Sequence, residues 1–266
     1  MTKKYSFDFI SFGVPVSFTS NDAELFEKGS QIIRSALLER CDPYLADNAA
    51  NLLTLNRVGE QAAISIDGEV EGACELTEGF FKYFDTRVRL LIAERAPDVV
   101  FLHSGAIGWN GKVILFPGDS FAGKTTVVAE FLRRGATYYS DEYAVIDHSG
   151  NVHPFARKLW LRDFDDPSSR IITDPRALGG SVAEGAAPVC AVMFLEYRKN
   201  SRFRPHLLTA GEGLMRLLRQ TTSLKFSPKF AIKVLNELAS RVTFVESTRS
   251  NAKNFVDKAI LFIDKL

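Results

Sequence analysis

The sequence predicts an α/β fold, with a small α+β portion ahead of the main domain. Three observations predict it. The apolar run Val113-Ile114-Leu115-Phe116 leads through a glycine-containing loop into the helical pattern Val127-Val128-Ala129-Glu130-Phe131-Leu132. Beyond that unit, β-type runs at 143–147, 189–197 and 242–245 are interleaved with helical stretches at about 210–221, 228–240 and from 250. Ahead of it, residues 1–74 hold short strand patterns, one helix and no catalytic motif. The 266 residues allow one large or two modest domains. The expected division is 1–74 and 75–266, the first part being acceptor-binding or regulatory.

Each element has a local reason. Residues 5–19 are rich in Phe, Ile and Val and read as one or two strands turning at Gly13 and Pro15. Ser20-Asn21-Asp22 is a helix-cap pattern, and the helix runs to about Glu39 on the stripe Leu25, Phe26, Ile32, Ile33, Ala36 and Leu37. Residues 52–55 and 62–66 are strands, and Asp67-Gly68 turns the second into 70–74. Thr77-Glu78 opens a core-packing helix through Phe80, Phe81, Phe84, Val88, Leu91 and Ile92. A short strand at 99–102 follows, and Asn110-Gly111 turns the chain into the strand before the glycine loop. Gly135, after Arg133 and Arg134, closes the next helix. Residues 137–139 form a strand that ends in Ser140-Asp141-Glu142, expected beside the strand that carries the glycine loop. Residues 163–188 are polar and hold Pro167, Pro175, Pro188 and Gly179-Gly180, so they read as a long loop: a lid or a surface excursion.

Composition excludes several classes. The chain is 46% hydrophobic and 24% charged with a formal net charge of +1, which gives no electrostatic case for nucleic acid. Cys41, Cys74 and Cys190 form no C-x-x-C pair and read as reduced, mostly buried thiols. The four histidines lack zinc-site spacing. Asp8 interrupts any apolar signal core, and no run approaches a membrane span. A cytoplasmic location without membrane partners is expected.

The loop carries the chemistry. Gly118-Asp119-Ser120-Phe121-Ala122-Gly123-Lys124-Thr125 fits G-x-x-x-x-G-K-[ST], with Thr126 completing the turn, and strand, loop and helix come in the order a P-loop requires. The glycines let successive N–H groups face phosphate oxygens, and the helix N-terminus adds a favourable dipole. Lys124 reaches the β- and γ-phosphates and Thr125 places its hydroxyl on Mg²⁺. The competing reading is a chance Gly-Lys-Thr turn.

A reaction needs more than a phosphate loop. Asp141 and Glu142 lie one helix and one strand beyond Lys124. One carboxylate can hold Mg²⁺ and the other can accept a hydroxyl proton; a solvated acidic turn is the alternative. His103 can orient phosphate or, on spacing alone, serve as a hydrogen-bonded structural histidine. Arg157, Lys158 and Arg162 flank Leu159-Trp160-Leu161 and read by default as a solvated edge, as do Arg216 and Arg219 on a helix.

The stretch Leu102-His103-Ser104-Gly105-Ala106, the turn at Gly111, the loop 118–125, Arg134-Gly135 and Ser140-Asp141-Glu142 together resemble the catalytic core of HPr kinase/phosphorylase and the wider HPr-kinase-like proteins. The resemblance covers about 99–165. It implies a P-loop kinase domain related in fold to phosphoenolpyruvate carboxykinase, with ATP and Mg²⁺, acting on a serine-like hydroxyl of a protein, peptide or small molecule. It implies phosphate and metal binding by Lys124 and Thr125. It further implies Asp141 as base, Glu142 as metal partner and His103 near the transferring phosphate. It also implies a homo-oligomer. Glu142 stands where a second aspartate is usual, Thr125 replaces a serine, and Ala136 replaces a common histidine. The signature segment tied to dephosphorylation is not recognisable near 158–162, which argues against HPr as acceptor and against a phosphorylase reaction. The rival readings are a nucleotide switch or NTPase without an acceptor, and a non-catalytic partner-binding module. The absence of N-K-x-D and L-S-G-G-Q segments disfavours GTPase and ABC-type versions.

Overall fold

The computed structural model describes residues 4–44, 51–119, 122–162, 166 and 169–266. The chain is mixed α/β and forms two compact units, Met1–Asp98 and Val99–Leu266.

In the first unit, β1 (Tyr5–Ser11) and β2 (Val14–Ser20) form a hairpin whose turn is Phe12-Gly13, with Pro15 inside β2. Helix α1 (Ala23–Ala36) is capped by the Asp22 carboxylate, which accepts from the Leu25 N–H. Strands β3 (Asp42–Pro43), β4 (Leu52–Val58), β5 (Gln61–Ile66) and β6 (Glu69–Glu75) complete a sheet in the order β3-β1-β2-β4-β5-β6. Among the described strands of this sheet only β2 and β4 pair in parallel, and α1 lies in the connection that such a pair needs. The Asp67-Gly68 turn is present as expected, both residues having positive φ. Helix α2 (Glu78–Arg95) lies beside α1, with Phe84 against Phe18 of β2. This corrects the expected division at 74: α2 buries its apolar face in the first unit, whose boundary falls at Asp98.

Gly29 sets how closely α1 approaches the sheet. A Cβ there would lie 2.5 Å from Cζ of Phe18. Gly29→Ala is therefore expected to destabilise this unit by about 1–3 kcal/mol, the usual cost of overpacking, read by urea unfolding.

The second unit begins with β7 (Val99–Trp109) and turns at Asn110-Gly111 into β8 (Lys112–Pro117). After the glycine loop come α3 (Lys124–Leu132), β9 (Thr137–Ser140), β10 (Tyr143–Asp147), β11 (Asn151–His153), β12 (Leu159–Arg162), β13 (Arg170–Thr173), β14 (Ser181–Val182) and β15 (Ala187–Tyr197). Then follow β16 (His206–Leu208), α4 (Ala210–Arg219), α5 (Pro228–Ala239), β17 (Thr243–Arg249) and α6 (Ala252–Ile263). β8, β15 and β17 run parallel, so their carboxyl ends share one edge of the sheet. Alternation along β8 makes two cores. Val113 and Leu115 pack with Leu217 of α4 and Leu235 of α5, while Ile114 and Phe116 pack with Phe131 of α3 and Val256 of α6.

Three sequence expectations need correction. β7 does not end at Leu102; it continues through His103 to Trp109, because its first half pairs with β10 and its second half with β8 and β9. β9 is not the neighbour of β8: β7 lies between them. Residues 163–188 are not one continuous loop. They contain β13, paired with β12, a 3₁₀ turn at Pro175–Leu178, and β14, paired with β9; residues 163–165, 167 and 168 lie outside the described residues.

All three thiols are free and Cys41 is buried, but Cys190 is half-buried and Cys74 on β6 is exposed, so the thiols are less buried than expected. No described helix is long and apolar enough to cross a membrane.

Candidate functional site

β8 delivers the chain at Pro117, and α3 starts at Lys124. Gly118, Asp119, Ala122 and Gly123 form the described part of the loop between them; Ser120 and Phe121 lie outside the described residues. Gly123 is the N-cap, with φ of 80°, a conformation that favours glycine. Among the described residues no side chain caps α3, and its first turn holds no acidic residue. The N-terminal N–H groups and the positive end of the dipole are thus left for an anion. Thr126 on that turn is exposed.

The Lys124 ammonium is folded against its own loop. Nζ donates to the carbonyl oxygens of Gly118 at 2.8 Å and Asp119 at 2.9 Å, and lies 3.2 Å from Nε2 of His103. Burial lowers the Lys124 pKa, opposed by Asp141, Glu142 and Asp119. His103 comes from the middle of β7, where its N–H donates to the Gln220 carbonyl and its carbonyl accepts from the Gly118 N–H. Burial first, and the Lys124 charge second, push its pKa down to about 4. The imidazole is therefore neutral at pH 7, and its Nε2 accepts from the ammonium.

That depression has a measurable sign. Above about pH 6.5 the imidazole is neutral in folded and unfolded chain alike; between 6.5 and about 4 the unfolded chain takes up a proton that the folded chain refuses. Stability falls as the pH falls through this window. His103→Gln is expected to remove about 1 kcal/mol of the stability lost between about pH 7.5 and 5, after discounting for partial exposure, checked by urea unfolding at both values.

Asp141 occupies the turn between β9 and β10. Its Oδ2 accepts from the Thr125 hydroxyl at 2.8 Å and its Oδ1 from the Tyr138 hydroxyl at 2.7 Å. Burial, with the adjacent carboxylate, pushes the Tyr138 phenol well above its usual range, so it stays a donor. Ser140 Oγ accepts from the N–H groups of Glu142 and Tyr143 and fixes the turn. Glu142 lies 3.8 Å from Nη1 of Arg157. Lys158 and Arg162 are exposed, in keeping with a solvated edge. Arg216 instead pairs with Glu246 at 2.7 Å, and Arg219 is exposed.

The fold therefore brings Lys124, Thr125, His103 and Asp141 to one end of β8. Three contributors escaped sequence reasoning. Tyr138 reads as a core aromatic on a strand. Gln220, which donates to Asp119 at 3.0 Å, reads as the polar end of a helix. Arg249 closes β17 and donates to the loop carbonyls of Ala122 and Gly123. None carries a local signal, since each contact spans elements far apart in sequence, or in Tyr138 depends on the turn that follows it. A separate cavity of about 250 Å³, lined by Trp109, Asn110, Arg134 and Tyr139 among others, lies at the opposite end of β8 and shares no residue with this site.

No family model matches the chain, and no curated protein matches it.

Proposed function

We propose that the chain is an ATP-dependent kinase of the HPr-kinase-like, phosphoenolpyruvate-carboxykinase-related type. It transfers the γ-phosphate to a serine-like hydroxyl of a protein, peptide or small molecule. The observation that carries this reading is the Thr125–Asp141 hydrogen bond beside the Lys124–His103 contact. A phosphate loop alone needs no carboxylate. Here a carboxylate held by two hydroxyl donors stands at the first turn of the helix that would receive the phosphates.

The donor set suits Mg²⁺. Thr125 Oγ1 and Asp141 Oδ2 are hard oxygens 2.8 Å apart. Among the described residues no group of three or more His, Cys, Asp and Glu side chains could hold a metal. A full cage is not required, because Mg²⁺ takes one or two protein oxygens and completes its shell with water and phosphate. Thr125, with Asp141 or Glu142, would hold it, and it would neutralise charge developing on the phosphates.

The chain's own residues then have separate tasks. The first-turn N–H groups of α3 receive the phosphates. Lys124 leaves the Gly118 and Asp119 carbonyls and pairs with phosphate oxygen, a stronger charge-assisted partner. Neutral His103 accepts a proton-bearing donor and keeps the lysine aimed at the loop. Asp141 accepts the proton of the acceptor hydroxyl as that oxygen attacks the γ-phosphorus and the bond to the β,γ-bridging oxygen breaks, releasing ADP. Tyr138 holds the carboxylate in place. The acceptor approaches the carboxyl edge of β8, β15 and β17, where ligands of open α/β sheets bind.

The test is incubation of the protein with Mg·[γ-³²P]ATP and a panel of serine- and threonine-bearing peptides and small alcohols. Label on an acceptor, dependent on Lys124, is the expected result. Label released only into water would replace this reading with a nucleotide switch or NTPase.

A further inference from the structure

We infer that Arg249 is a positioning residue for the phosphate loop: its guanidinium fixes the two peptide groups that open α3. The inference rests on the nucleotide-binding reading above and adds a residue that the P-loop pattern does not contain.

The geometry is specific. Nη2 of Arg249 donates to the Ala122 carbonyl at 3.0 Å and to the Gly123 carbonyl at 3.3 Å. Among the described residues there are no cis peptide bonds, and in a planar trans peptide the C=O and the next N–H point in opposite directions. Holding the Ala122 carbonyl therefore fixes the Gly123 N–H. Holding the Gly123 carbonyl fixes the Lys124 N–H. Both N–H groups are turned away from the guanidinium, to the other side of the backbone. They are the donors on which anion binding at a helix N-terminus depends.

The arginine is itself held. It is 5% exposed, its Nη1 donates to the Ser250 carbonyl at 3.3 Å, and the guanidinium lies 5.5 Å from the centre of the Tyr197 ring. Its Nε is buried and has no hydrogen-bond partner among the described residues. A buried guanidinium with an unmade hydrogen bond is an expensive way to close a strand. A role limited to packing would be met at lower cost by an apolar side chain. The two are in close contact: a Cβ on Gly123 would lie 2.0 Å from Nη2, so any larger residue there would displace the guanidinium. β17 is parallel to β15, which is parallel to β8, so the guanidinium is delivered to the loop by the sheet itself.

The experiment compares wild type, Arg249→Lys, Arg249→Met and Lys124→Ala by titration calorimetry with Mg·ATP, with thermal melts of each protein without nucleotide. Arg249→Met is expected to weaken Mg·ATP binding by about tenfold or more, the loss expected when a hydrogen bond to a charged group is removed. Arg249→Lys is expected to recover part of that loss, because it restores the charge without the planar fork. The melting temperature should stay within a few degrees. Binding by Arg249→Met within twofold of wild type overturns the inference. Loss of the folded state in both Arg249 variants also overturns it, since the arginine would then be a structural residue of the sheet. Failure of the wild type to bind Mg·ATP is a different result: it removes the nucleotide reading, and the inference with it.

Discussion

Lys124→Ala is expected to weaken Mg·ATP binding by at least about 30-fold, as removal of one member of a buried charge pair costs about 2–5 kcal/mol. It should abolish phosphoryl transfer. The effect is large because the ammonium is already stripped of much of its water: burial lowers its pKa, and its partners are two backbone carbonyls and a neutral imidazole. A desolvated cation gains more from an anionic phosphate than an exposed one. Among the described residues its hydrogen-bond partners are all uncharged, so no direct ion pair must be exchanged when phosphate arrives. The fold should survive, because the loop remains held by Gln220 at Asp119 and by Arg249 at Ala122 and Gly123. Calorimetry measures the affinity and a thermal melt confirms the fold. Binding within threefold of wild type, in a folded variant, would falsify the phosphate-loop reading.

What the sequence made legible was mostly local. Asp67-Gly68 and Asn110-Gly111 have the positive φ values that their turn chemistry demands, and both hairpins are where they were expected. Gly135 closes α3 in the same way. The loop from Gly118 to Gly123 lies between strand and helix, as its pattern requires. The long-range arrangement was not legible. Nothing near His103 says that the strand continues, since that is decided by β8, β9 and β10 pairing with it. Nothing near Asp141 says that β7 lies between its strand and the phosphate-loop strand. Asp141 still reaches Thr125 because the turn after β9 extends past the strand end toward α3. Arg249 shows the limit most clearly. In sequence it lies four residues beyond the apolar run 242–245, after the polar Glu246-Ser247-Thr248, where nothing local marks it. Its burial against Gly123 comes only from the parallel pairing that carries β17 to the loop. The N-terminal boundary failed for a related reason. α2 has the periodicity of a core helix, but periodicity does not say which core, and α1 was the partner.

Asp141→Asn separates the two roles open to that carboxylate. As a proton acceptor it is needed for transfer but not for nucleotide affinity. As a metal ligand it is needed for both. The substitution is mild for the surrounding structure. Tyr138 and Thr125 reach the carboxylate through hydroxyl groups, which rotate and can accept as well as donate. An asparagine amide can therefore keep both contacts, donating to Thr125 and accepting from Tyr138, or the reverse. With the geometry kept, the change removes one negative charge and the carboxylate oxygen that would accept the proton of the attacking hydroxyl. The expected result is Mg·ATP affinity within about threefold of wild type and transfer to the acceptor reduced by on the order of 10²-fold or more, the range for loss of a general base. Single-turnover transfer of labelled phosphate, with calorimetry on the same preparation, measures both. Affinity and transfer falling together would move Asp141 to the metal and leave the base unassigned. Unchanged turnover would remove Asp141 from the chemistry altogether. Its hydrogen bond to Thr125 would then serve only to hold the turn after β9 against the start of α3.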